Sequence, residues 1–109
     1  MNTKPVVILV TCPNKKQARD IARALVESRL AACVNIAASV ESIFRWQGKV
    51  TKANEALLII KTKESKLAHL TRMIKNMHKY EVPEIIALPV TAGYKPYLAW
   101  IDESLRKSH

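Results

Sequence analysis

The sequence predicts an α+β sandwich in which two strand-helix-strand units and one extra terminal helix share a single core. Three observations predict it. Apolar runs of strand type alternate with stretches of helical spacing, two strand-like runs are separated only by a glycine turn, and 109 residues suffice for one sizeable core but not two. Hydrophobic residues make up 49% and charged residues 25%, the balance of a chain that folds rather than one that stays disordered. With Gly48 and Gly93 as its only glycines, the chain cannot build a glycine-rich phosphate loop, which excludes nucleotide binding of the Rossmann or Walker type.

Residues 5–11 form a continuous β-branched run, the pattern of a central strand buried on both faces. Pro13 ends it, and Asn14 with Gln17 three positions later predicts a capping box opening a helix. Ala18, Ile21, Ala22 and Leu25 give that helix one apolar stripe, with Lys15, Arg19 and Arg23 pointing outward. From Cys33 the period becomes two, predicting a second strand that reaches Gln47, and the slip in alternation at Ile43 and Phe44 predicts a bulge near residues 41–43. Gln47, Gly48 and Lys49 offer a turn into a third strand over residues 55–62. Leu67, Leu70, Ile74 and Met77 mark a second helix, left near Tyr80 and Pro83. Residues 83–90 read as a fourth strand, with Pro89 near its end or at an edge. Pro96 opens a short final helix carrying Tyr97, Leu98, Trp100, Ile101 and Leu105.

That order is the ferredoxin-like βαββαβ plan with a C-terminal helix, one domain over residues 1–109. Helices cover one face of the sheet and leave apolar side chains on the other. The second strand, about 50 Å long if fully extended at about 3.3 Å per residue, overshoots a domain about 35 Å across. Its far end bears Ile43, Phe44 and Trp46, so a homo-oligomer joined through sheet edges is expected.

The net charge is +9, spread from Lys4 to Lys107. Lys15, Lys16, Arg19 and Arg23 on one helix, and Arg72, Lys75 and Lys79 on another, read as solvated faces before a dedicated nucleic-acid stripe. Cys12 and Cys33, without a secretory signal, suit free thiols in a reducing compartment, and the apolar run from Val6 is too short for a membrane span. A cytoplasmic address and no membrane partner are expected.

Several segments in order carry a resemblance: residues 30–35 (Leu-Ala-Ala-Cys-Val-Asn), residues 42–50 (Ser-Ile-Phe-Arg-Trp-Gln-Gly-Lys-Val), Lys61-Thr62, residues 78–85 (His-Lys-Tyr-Glu-Val-Pro-Glu-Ile) and residues 97–100 (Tyr-Leu-Ala-Trp). Together they resemble the CutA family of divalent-cation-tolerance proteins, over nearly the whole chain. The resemblance implies ferredoxin-like subunits in a homotrimer similar in plan to PII signalling trimers. It also implies a link to tolerance of divalent metals, copper above all, in a bacterial cytoplasm, and no established catalysis. Two departures stand out. The family commonly has His-Pro-Tyr where this chain has His78-Lys79-Tyr80, which removes a rigid φ and adds a cation beside the candidate ligand. Relatives proposed to bind copper carry a first-strand thiol and two adjacent histidines; here Val10 matches the thiol position, Cys12 is the nearest thiol, and Met77 precedes His78.

His78 is the leading metal-ligand candidate, since neutral imidazole suits copper or zinc, and it reads equally as a histidine closing a helix end. Cys12 is a candidate soft ligand, with plain core packing as the competing reading, as for Cys33. His69 and His109 read as solvent-exposed. No Cys-x-x-Cys or His-x-x-x-His spacing exists, so a metal site is expected to be shared between subunits or weak. All six aromatics lie after residue 43, and Trp46 and Tyr80, with Lys61 and Glu84 as polar anchors, are candidates to line a ligand cleft, interface packing being the alternative. No organic cofactor is expected. Glu81 and Glu84 show no sign of an acid/base pair, and no serine elbow exists, so the protein reads as a non-enzyme. Its expected partners are copies of itself, a divalent metal ion or small ligand, and a protein of unspecified kind that reads the bound state. The first and third strands lack the sheet-face aromatics on which RNA-recognition domains stack bases, so nucleic-acid binding would be nonspecific and salt-dependent.

Overall fold

Alternation of buried and half-buried side chains along residues 5–12 places β1 (Pro5–Cys12) at the centre of an antiparallel sheet in the computed structural model, which describes residues 4–106. Helix α1 (Lys15–Glu27), β2 (Cys33–Trp46), β3 (Lys49–Lys63), α2 (Leu67–Met77), β4 (Ile85–Pro89) and α3 (Lys95–Leu105) follow, with one 3-10 turn at Glu64–Lys66 before α2. His109 lies outside the described residues. The order of elements matches the sequence reading, and the four strands lie in the order β2-β3-β1-β4, each pair antiparallel.

One face of the sheet holds the core. Val6, Ile8 and Val10 of β1 and Leu58 and Ile60 of β3 meet Ile21 and Leu25 of α1 and Leu70 and Ile74 of α2. Each such side chain stabilises the fold by about 1.5–3 kcal/mol relative to exposure. The second face is only partly covered, which corrects the expectation that β1 is buried on both faces. Lys63, which by alternation points away from buried Thr62, holds Asp102 of α3 in an ion pair. Helix α3 therefore shields one corner of this face through Ile101 and Leu105, while Ile86 and Leu88 stay exposed.

Asn14 Oδ1 accepts the Gln17 N–H at 2.8 Å, as the capping motif requires. The reciprocal half is absent, because Gln17 Nε2 donates instead to the Met77 carbonyl at 3.2 Å and ties α1 to the end of α2. Gln47 and Gly48, both at positive φ (50° and 78°), make the two-residue hairpin turn. Strand β3 starts directly after it, six residues earlier than the sequence suggests, and β4 is shorter than expected at both ends. The bulge also moves: the register of β2 against β3 shifts between Ala37 and Val40 rather than at residues 41–43.

Strand β1 covers β3 only from Ala56 to Lys63. Beyond Glu55 the sheet narrows to a two-stranded arm, residues 40–46 against 49–55, that draws the chain out to 48 × 28 × 22 Å. The overhang inferred from strand length is present.

Candidate functional site

The place where four strands become two is also where chemistry collects. Glu55 pairs with Val40 at the bulge, one residue past the last β1 pairing, Cys12 with Ala56. Although charged, it is only 8% exposed. Its carboxylate is met by the loop after α2, from which Tyr80 donates its hydroxyl to Glu55 Oε2 at 2.8 Å. Burial, followed by this hydrogen bond and the Glu55 charge, pushes the Tyr80 phenol up to about 12.

His78 holds that loop. The Val90 N–H donates to the Pro5 carbonyl, so alternate carbonyls of β1, counted from Pro5, face β4. Strand β4 pairs only as far as Val10, and the carbonyl of Thr11 lies beyond its end. His78 Nε2 donates to that carbonyl at 2.6 Å, while Nδ1 accepts the Tyr80 backbone N–H at 3.1 Å. A backbone N–H can only donate, so it assigns the proton to Nε2 and fixes the tautomer. The ring also packs against Tyr80, with centroids 4.8 Å apart. Both ring nitrogens are thus engaged, and a metal ion reaches one only by displacing a backbone partner.

Beside this pair opens a cleft of about 920 Å³ lined by Glu55, Tyr80, Glu84, Ile43, Phe44 and Trp46, together with Thr11, Glu81 and Val82. Three of the proposed cleft residues, Trp46, Tyr80 and Glu84, are therefore brought together in one chain. Lys61 is not: it sits six residues along β3 from Glu55, about 20 Å of extended strand, and its ammonium meets Asn35. Cys12 is fully buried in the core beneath the cleft, and burial, with the Glu55 charge second, raises its thiol to about 11. It stays protonated at neutral pH, which makes it a poor nucleophile and a poor soft ligand where it stands. Among the described residues of one chain, no three His, Cys, Asp or Glu side chains converge to hold a metal ion.

Sequence reasoning missed Glu55 as a site residue. The available signal was an acid at the head of the apolar run Ala56-Leu57-Leu58-Ile59-Ile60. The arrangement provides a carboxylate-rimmed mouth with aromatic walls, suited to binding a cation or a small molecule with a positive group.

A family model described as CutA1 divalent ion tolerance protein matches residues 6–104. The chain is 51% identical over 94 residues to "Protein CutA" of Mus musculus, a match covering 86% of this chain and 53% of that protein. It thus spans about half the length of the mammalian relatives it matches. Against "Divalent-cation tolerance protein CutA" of Thermus thermophilus it is 49% identical over 98 residues, 90% of this chain and 95% of that one. The crystal structure of CutA1 from Oryza sativa superimposes with a TM-score of 0.92 at 46% identity, covering 97% of each chain. With agreement running from the first strand into the last helix, in sequence and in backbone alike, the chain belongs to the CutA1 divalent ion tolerance family.

Proposed function

We propose that this protein supports tolerance of divalent cations by binding rather than by turnover, as a cytoplasmic homotrimer of ferredoxin-like subunits whose clefts lie between neighbouring copies. The cleft beside Glu55 and Tyr80 carries the reading: it has carboxylates at its mouth and an apolar aromatic wall that one chain leaves open. The described residues of one chain supply too few convergent donors for a tight metal site, so a neighbouring copy completes the coordination or encloses a small ligand. Copper is the metal to test first, because its intermediate softness accepts imidazole as well as carboxylate. Glu84 and Glu81 serve as rim donors, and His78 joins them once its Nδ1 is released from the Tyr80 N–H. The free thiols Cys12 and Cys33 fit a reducing compartment.

Copper(II) titration by calorimetry tests this reading, on protein reduced beforehand and freed of reductant, using wild type, Glu84→Gln and His78→Ala at equal protomer concentration. Glu84→Gln is expected to weaken binding at least tenfold. Unchanged affinity in both variants removes the cleft from metal binding, and a loss confined to Glu84→Gln removes His78 from coordination.

A further inference from the structure

The outer face of the helix layer carries a charge pattern that the cleft does not use. Residues 15–27 and 64–79 together hold eight lysines and arginines against three acids, and α2 itself contains no acid. Two of the three acids are spoken for in part: Asp20 bridges Lys16 at 3.1 Å, and Glu27 faces Arg23 at 4.0 Å. Glu64, the third, lies at the far end, before α2. Among the described residues, Lys15, Arg19, Arg72, Lys75 and Lys79 have no acidic partner, and all five are exposed. Gln17 and the Met77 carbonyl tie the two helices together, so the cations of both belong to the exposed side of one helix layer, spread across its width. On α1, Lys15, Arg19 and Arg23 repeat every four residues, about 6 Å apart along the axis. This layer lies across the sheet from the partly covered apolar face, so association through that face leaves it open.

We infer that this two-helix face docks on the phosphate backbone of double-stranded nucleic acid, without reading sequence. Charge complementarity argues for the occupant: a layer of cations, eight against three acids and five of them exposed without an acidic partner, gains by releasing the counterions condensed on a duplex. Single strands are disfavoured, since neither helix carries a Phe, Tyr or Trp on which bases could stack. A lipid surface is disfavoured as well, because Val26 is the only exposed large apolar side chain on the two helices and supplies little to insert.

The test is fluorescence anisotropy with a mixed-sequence DNA duplex of about two turns, between about 50 mM and about 200 mM salt. Wild type is compared with Arg72→Glu/Lys75→Glu and with Lys49→Glu/Lys95→Glu, which changes the net charge equally away from this face. Each variant is checked for unchanged far-UV spectrum and mass, and a variant that fails is replaced by its Gln version. The helix-face variant is expected to bind at least tenfold more weakly and to flatten the plot of log K against log salt by about 2, at about 0.9 per lost phosphate contact. The control is expected to lose less than threefold. Equal losses in the two variants, no duplex binding at the lowest salt, or tighter binding to anionic lipid vesicles than to the duplex each overturns the proposal.

Discussion

Tyr80 donates its hydroxyl to Glu55 Oε2 at 2.8 Å, which ties the loop after α2 to the residue where the sheet narrows to two strands. The bond serves a carboxylate largely withdrawn from water, so its removal costs more than an exposed hydrogen bond would. Tyr80→Phe is expected to lower unfolding free energy by about 2 kcal/mol. In a Glu55→Gln background the same change is expected to cost less than half as much, because the charge that needs the donor has gone. Urea unfolding at fixed protomer concentration measures both steps of this cycle. Equal costs in the two backgrounds would show that the hydroxyl's contribution does not depend on the Glu55 charge.

Cys12 and Tyr80, both close to Glu55, predict an alkaline limit. Cys12 rises from its ordinary 9.0 to about 11 and Tyr80 from 10.0 to about 12, burial being the larger cause for each. Between those values the folded chain keeps protons that the unfolded chain has lost, so unfolding free energy falls as pH rises. The stability is fully present below pH 9 and declines from there toward 12. Cys12→Ala is expected to lower stability at every pH by opening a small cavity, and to delay the pH-dependent decline toward 10, where Tyr80 alone acts. Urea midpoints measured across this range would show an unmoved onset if Cys12 plays no part.

These consequences were only half legible in the residue order. Asn14 as a cap, the apolar stripe of α1 and the turn at Gly48 could be read directly, because each is a local interaction with a fixed spacing. The beginning of β3 could not. Residues 49–54 lie beyond the end of β1 and away from the core, so their alternation is only between exposed and half-buried positions and selects no apolar residues: Val50 is exposed, whereas Thr51 and Ala53 are half-buried. Tyr80, Trp46 and Glu84 were legible as cleft residues, whereas Glu55 was not, since its importance arises from a bulge on the opposite strand. The role of His78 depends on where β4 stops pairing with β1, a long-range fact that its own neighbours do not encode.

His78 is 8% exposed and satisfies two backbone groups at once. His78→Ala is expected to cost about 2–4 kcal/mol, combining two lost hydrogen bonds with a carbonyl left short of a donor. The damage should be local. Amide hydrogen exchange is expected to accelerate at Tyr80, whose N–H loses its acceptor, while the amides of Ile8 and Ile60 in the core keep their protection. Unchanged exchange at Tyr80 would mean that the imidazole does not hold the loop.

Asp102 fastens α3 to the sheet through Lys63, and within its own helix it also accepts from Arg106, one turn on, at 2.7 Å. The hydrogen bond from Lys63, then that from Arg106, holds its carboxyl below the usual 3.8. A depressed acid contributes stability above its unfolded value and loses it as the pH falls through the folded one. Acidification below about 3.8 is therefore expected to loosen α3 first. In a Trp46→Phe background the emission of Trp100 reports on α3 alone, and it is expected to shift before the far-UV signal changes. Asp102→Asn, which cannot titrate, should lack that early step; an identical acid transition in both proteins would assign the step elsewhere.

The two-stranded arm makes the sharpest demand on the assembly. Ile43 and Trp46, 68% and 58% exposed, stand on a ribbon that no third strand among the described residues supports, and an isolated hairpin is marginal in water. Its unpaired β2 edge and its apolar side chains both call for another copy. Wild type is therefore expected to sediment at about threefold the 12.3 kDa protomer mass. Trp46→Asp/Ile43→Lys places charges where the neighbour must pack, and is expected to shift the mass toward one protomer at micromolar concentration. The core of Ile8, Leu58 and Ile74 lies outside the arm, so the helices should persist in the dissociated chain. Far-UV dichroism recorded on the same sample separates dissociation from unfolding, and a trimeric mass retained with both charges in place would locate the contact elsewhere on the subunit.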